Sequence, residues 1–120
     1  MIIIASGLAA LIALLHIGIL LAEMVFWTST PVRKAFRTTP EFAAQSRVLA
    51  ANQGLYNGFL AAGLIVGLLH PDPAASRALV LFSLACVSMA GLYGGLTASR
   101  RILAVQAAPA LIALALFLMA

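Results

Sequence analysis

Residues 2–27 read IIIASGLAALIALLHIGILLAEMVFW, and this run decides the fold. Only His16 and Glu23 interrupt it with ionisable side chains. A helix needs about 20 consecutive apolar residues to cross the hydrocarbon core of a bilayer. This run is longer than that, and longer than the apolar region of a signal peptide, and no basic residue precedes it. It is therefore expected to be a retained transmembrane helix.

Working outward, three more apolar stretches follow at 48–69, 78–98 and 102–119. The 120-residue chain is 64% hydrophobic and 8% charged, with a mean hydropathy of +1.13. Soluble domains carry about 25% charged residues. The expected fold is thus all-α: one domain, residues 1–120, forming a four-helix transmembrane bundle. Arg33, Lys34, Arg37 and Arg47 precede the second stretch, and Arg100 and Arg101 lie between the third and fourth. Only Arg77 lies between the second and third. The positive-inside rule then places loops one and three in the cytoplasm and both termini outside. The net charge of +4 is accounted for by these loops and by lipid headgroups, so nucleic acid is not an expected partner.

The loops are punctuated by Thr30-Pro31, Thr39-Pro40 and Asp72-Pro73, each reading as an N-cap followed by proline at the first helical position. Glu41 then falls in a first turn, where it suits the helix dipole. Between the first two prolines, Phe36 and the basic residues are expected to form a short interfacial turn. In the fourth stretch Pro109 lacks the N–H that would bond the Val105 carbonyl, which predicts a local kink.

The second stretch carries an anomaly. Residues 52–58 read Asn-Gln-Gly-Leu-Tyr-Asn-Gly, inside a segment with no water to satisfy them. Such groups must bond one another, line a wet cavity or meet a ligand. At about 1.5 Å per residue, Glu23, Asn52, Gln53, Tyr93 and Gln106 fall within roughly 6–8 Å of the cytoplasmic helix ends. Tyr56, Asn57 and His16 fall roughly 12–17 Å deep. At about 100° per residue, His16, Glu23 and Trp27 share a face of the first helix. Asn52, Gln53, Tyr56 and Asn57 form a stripe on the second, and Cys86, Tyr93 and Thr97 one on the third. Turned inward, these stripes would line a polar pocket open to the cytoplasm. The pairs Gly54/Gly58, Gly63/Gly67 and Gly91/Gly95 are GxxxG contacts, and the Gly54/Gly58 face is expected to stand away from the pocket, free for another helix or subunit.

Glu23 is the sole acidic residue within a span. It is a candidate proton carrier, cation site or general base, or else a structural acceptor. His16 is a candidate metal or haem ligand, a proton relay or a bonded core residue. With one membrane His, one Cys and no carboxylate cluster, no metal site is expected and no cofactor is required by the residues. Cys86 reads as a small buried hydrophobe. Hydrolase triads, phosphate loops and HExxH are absent from the sequence.

The run from Asn52 to Gly63, NQGLYNGFLAAG, resembles the hallmark of a bacterial family of small four-helix inner-membrane proteins classed as a domain of unknown function. His16, Glu23-Met24, Trp27, residues 90–94 and Gln106 ahead of Pro109 extend the likeness along the chain. It implies residence in the inner membrane and no settled activity. Arg47, Ala51 and Asn52 are similar to the start of the membrane-associated eicosanoid and glutathione metabolism family of four-helix trimers. Leu55 stands where that family has Glu. Small multidrug transporters also pair four helices with one Glu in the first, placed nearer mid-membrane.

The expected function is binding of a small amphipathic or lipid-like molecule in the cytoplasm-facing pocket, lined by Glu23, Asn52, Gln53, Tyr56, Asn57, Tyr93 and Gln106. Glu23 and His16 are the candidates for any catalysis. The alternatives are proton-coupled transport by an oligomer, a small membrane enzyme of the four-helix trimer type, and a structural or assembly role. Membrane lipids and a second copy of the chain are the expected partners.

Overall fold

The computed structural model describes Met1–Ala120, and it is helical throughout, with no strand. The elements are α1 (Ile2–Met24), α2 (Thr30–Phe36), α3 (Pro40–Gln45), α4 (Arg47–Leu69), α5 (Pro73–Thr97), a π-helical segment (Leu103–Ala107) and α6 (Ala108–Met119). Two of them, α1 and α5, are long and apolar enough to cross a membrane. That is fewer than the four spans expected. The helix α4 has 23 residues, as many as α1, but the polar run from Asn52 to Asn57 dilutes its hydropathy. The fourth apolar stretch is broken by the π-helical segment and forms a shorter helix over Leu103–Met119.

Helix ends follow local chemistry. The helix α1 stops at Met24 rather than Trp27, because the Val25 and Phe26 N–H groups both turn back to the Leu21 carbonyl at 3.0 and 3.1 Å. The helix α2 closes on Arg37, a left-handed residue (φ 56°) whose N–H bonds the Arg33 and Lys34 carbonyls. Thr39 caps α3 by accepting from the Phe42 N–H at 3.1 Å. Asp72 Oδ2 accepts from the Ala75 N–H at 2.7 Å, so α5 begins at Pro73, five residues before its apolar stretch. Ahead of Pro109 the chain adopts π rather than kinked α geometry, and the Ala108 N–H reaches back five residues to the Leu103 carbonyl. A π turn adds a residue per turn and so absorbs the register lost where proline cannot donate.

The chain divides into two compact units. The first comprises Met1–Leu14 with Leu60–Ala120. Its core gathers Ala5, Ala9, Ile12, Ala13, Leu64, Val80, Leu84, Val87, Ala110, Ala113 and Phe117. Alanine at every fourth position of α1 (Ala5, Ala9, Ala13) lets neighbouring elements approach closely. At Gly91 a Cβ would sit 2.6 Å from the Ala107 backbone nitrogen, so only glycine permits that crossing.

The second unit is Leu15–Phe59. Here the Trp27 and Phe36 rings meet edge to face at 5.1 Å. The Trp27 indole N–H donates to Ser46 Oγ at 3.0 Å, while that hydroxyl donates to the Phe42 carbonyl at 2.6 Å. These bonds hold the turn between α3 and α4, which breaks what the residues suggested as one helix starting at Pro40. Gly54 and Gly58 do not stand free. Gly54 lies against Met24, Glu23 and Leu20, and Gly58 against Leu20.

Candidate functional site

The polar residues of Leu15–Phe59 are sorted by the face of α4 that carries them. The close contact at Gly54 fixes the rotation of the helix, turning the glycine face toward α1. Asn57, about 140° around the helix from Asn52, is brought to the edge of that contact. Its Nδ2 donates to Glu23 Oε1 at 3.4 Å and to the Gln53 carbonyl at 3.1 Å. Glu23 is 4% exposed and His16 is fully buried. The other members of the expected stripe lie outside this contact. Asn52 and Gln53 are exposed, and Tyr56 is 56% exposed with its ring 6.0 Å from that of Phe59.

The expected inward stripe and outward glycines are therefore exchanged. An α-helix presents one face to each neighbour, and backbone approach at Gly54 outcompetes the amides for it. The unit brings together Glu23 and Asn57 and leaves Asn52, Gln53 and Tyr56 at its surface.

The remaining two candidates belong to the first unit. Tyr93 is 73% exposed on α5, and its carbonyl accepts from the Thr97 hydroxyl at 2.7 Å. Gln106 is half-buried within the π-helical segment. Cys86 is half-buried. A hollow of about 220 Å³ is lined by residues 95–100 and Leu103. Another, of about 280 Å³, is apolar and lined by Ala10, Ala13, Leu14, Ile65, Leu68 and Leu69. Neither is lined by any of the expected site residues. No group of three or more His, Cys, Asp or Glu side chains converges as a metal site.

Chemically, the Glu23 carboxyl meets an amide rather than a cation. A carboxylate has about four lone-pair directions, and the amide of Asn57 occupies one at a long distance. Such a group retains capacity to accept from an N–H or O–H donor, or to carry a proton. The Trp27–Ser46 bond, not foreseen from the residues, ties the segment after α1 to the end of α3. An indole at the end of the first apolar run is the signal that could have pointed to it, since a half-buried indole N–H normally finds an acceptor.

These features define an all-helical chain with two membrane-length apolar helices and a buried carboxyl–amide pair. The chain belongs to the family described as Protein of unknown function (DUF1304), which matches residues 10–118. It is 31% identical over 109 residues to the Uncharacterized protein YpaA of Lactococcus lactis subsp. lactis (strain IL1403), covering 89% of this chain and 90% of that one. No solved structure matches it. The family match spans His16, Glu23, the amide run, Tyr93 and Gln106.

Proposed function

We propose that this chain is an integral protein of the bacterial inner membrane, with four apolar segments crossing the bilayer and loops one and three on the cytoplasmic side. We propose further that it binds a small amphipathic molecule whose head group donates to Glu23 beside Asn57. The membrane reading draws support from where the large side chains point. Only 28% of the apolar window of α1 and 39% of that of α5 is buried. A soluble core helix would be mostly buried. Ile3, Val48, Leu69 and Leu96 face outward while alanines fill the core. In water such a surface would drive aggregation; in lipid it is solvated.

The observation carrying the binding reading is the buried Glu23 carboxyl, 3.4 Å from the Asn57 amide and capable of accepting more. Native mass spectrometry of the protein in nanodiscs tests it. A co-purified small molecule is expected on the wild type and lost from Glu23→Gln and Asn57→Leu, with thermal unfolding little changed. Retention of the molecule by both variants, or a wild type that carries none, overturns it. The same buried carboxyl also supports a second reading, proton-coupled transport. That reading requires proton-dependent flux in proteoliposomes that Glu23→Gln abolishes.

A further inference from the structure

The face that α4 turns away from α1 is built as a contact seam. Leu49, Asn52, Tyr56 and Phe59 follow one another at spacings of three, four and three residues. That is the 3.5-residue repeat by which helices pair along a single stripe. Leu49 is 75% exposed and Phe59 58%, with Asn52 exposed between them. At about 100° per residue, Asn52 lies within this exposed arc, between Phe59 and Tyr56. The opposite face is already occupied, by Ala50 in the core and by Gly54 and Gly58 against α1.

The Asn52 amide makes no hydrogen bond within the chain. In an apolar medium an unbonded amide is unfavourable, and lipid chains offer it nothing. An amide also carries its own complement, two N–H donors and a carbonyl acceptor. Copies of one membrane protein share one orientation, so a twofold axis along the membrane normal sets α4 of two copies side by side and parallel. Asn52 then meets Asn52 of the partner subunit at equal depth. A lone Asn in an apolar heptad stripe fixes register in this way.

We propose that the protein self-associates through α4, with a second copy seated along Leu49, Asn52, Tyr56 and Phe59 and the two Asn52 amides bonded to each other. A lipid headgroup would satisfy the amide equally well but has no use for apolar residues at 3.5-residue spacing. The seam rests on the membrane reading proposed above but stands apart from the Glu23–Asn57 pair on the other side of α4, so it can hold where the ligand reading fails, and the reverse.

A cysteine scan in native membranes tests the seam, in a Cys86→Ala background under mild oxidation. Strong dimer cross-linking is expected for Leu49→Cys, Asn52→Cys, Tyr56→Cys and Phe59→Cys. Ala50→Cys, Asn57→Cys and the exposed Gln53→Cys should cross-link weakly. Uniform cross-linking, or none along the seam, overturns the proposal, as does a monomeric mass for the wild type in nanodiscs. Intramembrane side-chain hydrogen bonds average about 0.6 kcal/mol, so Asn52→Leu should weaken the dimer about threefold and Gln53→Leu should leave it unchanged. Equal dimerisation by Asn52→Leu and wild type would show that the headgroup region, and not a second copy, satisfies the amide.

Discussion

The unit made of Met1–Leu14 and Leu60–Ala120 and the unit Leu15–Phe59 bury different things. The first fills its core with alanine, valine, leucine, isoleucine and one phenylalanine. Of its buried hydroxyls, Ser83 and Ser88, that of Ser88 is spent within its own helix, on the Leu84 carbonyl at 2.8 Å. The second buries His16 and Glu23 and links its elements by side-chain hydrogen bonds, Trp27 to Ser46 and Asn57 to Glu23. The first unit rests on close approach, and the second adds directional bonds to its own close contact at Gly54. Close packing tolerates no added atom, whereas a hydrogen-bonded site can exchange one partner for another. This is why the binding proposal belongs to Leu15–Phe59.

The contrast is most easily broken at Gly91. A Cβ there would meet Ala107 backbone atoms at 2.6 and 2.8 Å, and backbone cannot step aside as a side-chain tip can. Gly91→Ala is expected to cost about 1–3 kcal/mol of stability, the range for overpacking a tight contact. Thermal unfolding in detergent reads this, and an unchanged melting temperature would deny that close approach holds the first unit together.

A smaller effect tests the directional bonds. Trp27→Phe keeps a ring against Phe36 and removes the N–H that reaches Ser46. The expected loss is about 0.5–1.5 kcal/mol, visible as faster hydrogen exchange over residues 38–46. Unaltered exchange there would mean that ring packing alone secures the turn.

The smallest effect has the opposite sign. Gly18 lies in the Leu15–Phe59 unit, and a methyl group added to it would find nothing within 4 Å, unlike one added to Gly54 on the facing helix. Gly18→Ala should stabilise α1 by about 0.5–1 kcal/mol, because glycine in a helix interior loses more backbone entropy than alanine. A destabilised Gly18→Ala would indicate a neighbour at that face, such as another copy of the chain.

Much of the helical pattern was legible in the residues. The expected caps at Thr39 and Asp72 are found, with helices starting at Pro40 and Pro73, because a cap and a fixed φ act within a few residues; at Thr30-Pro31 the helix starts one residue earlier, and Ser29 rather than Thr30 is its N-cap. The unusual polarity around Asn52 was equally plain. Its direction was not. Angular spacing says which side chains share a face, but not which face meets a neighbour. Polarity favoured an inward face for the amides, whereas in the folded chain Gly54 and Gly58 occupy it. The π geometry before Pro109 was also foreseen only as a kink, since several backbone adjustments can accommodate a missing N–H.

By itself, then, the amino-acid order determined an all-helical, strongly apolar chain with one acidic residue in an apolar run and a cluster of amides in another. Those are properties of composition and near neighbours. Only the tertiary structure decided that Glu23 pairs with Asn57 and that Asn52, Gln53 and Tyr56 face outward. The physical reason is the rotation of α4 about its own axis. That rotation is set by how closely a glycine lets two backbones approach, a contact made between residues about thirty positions apart in the chain.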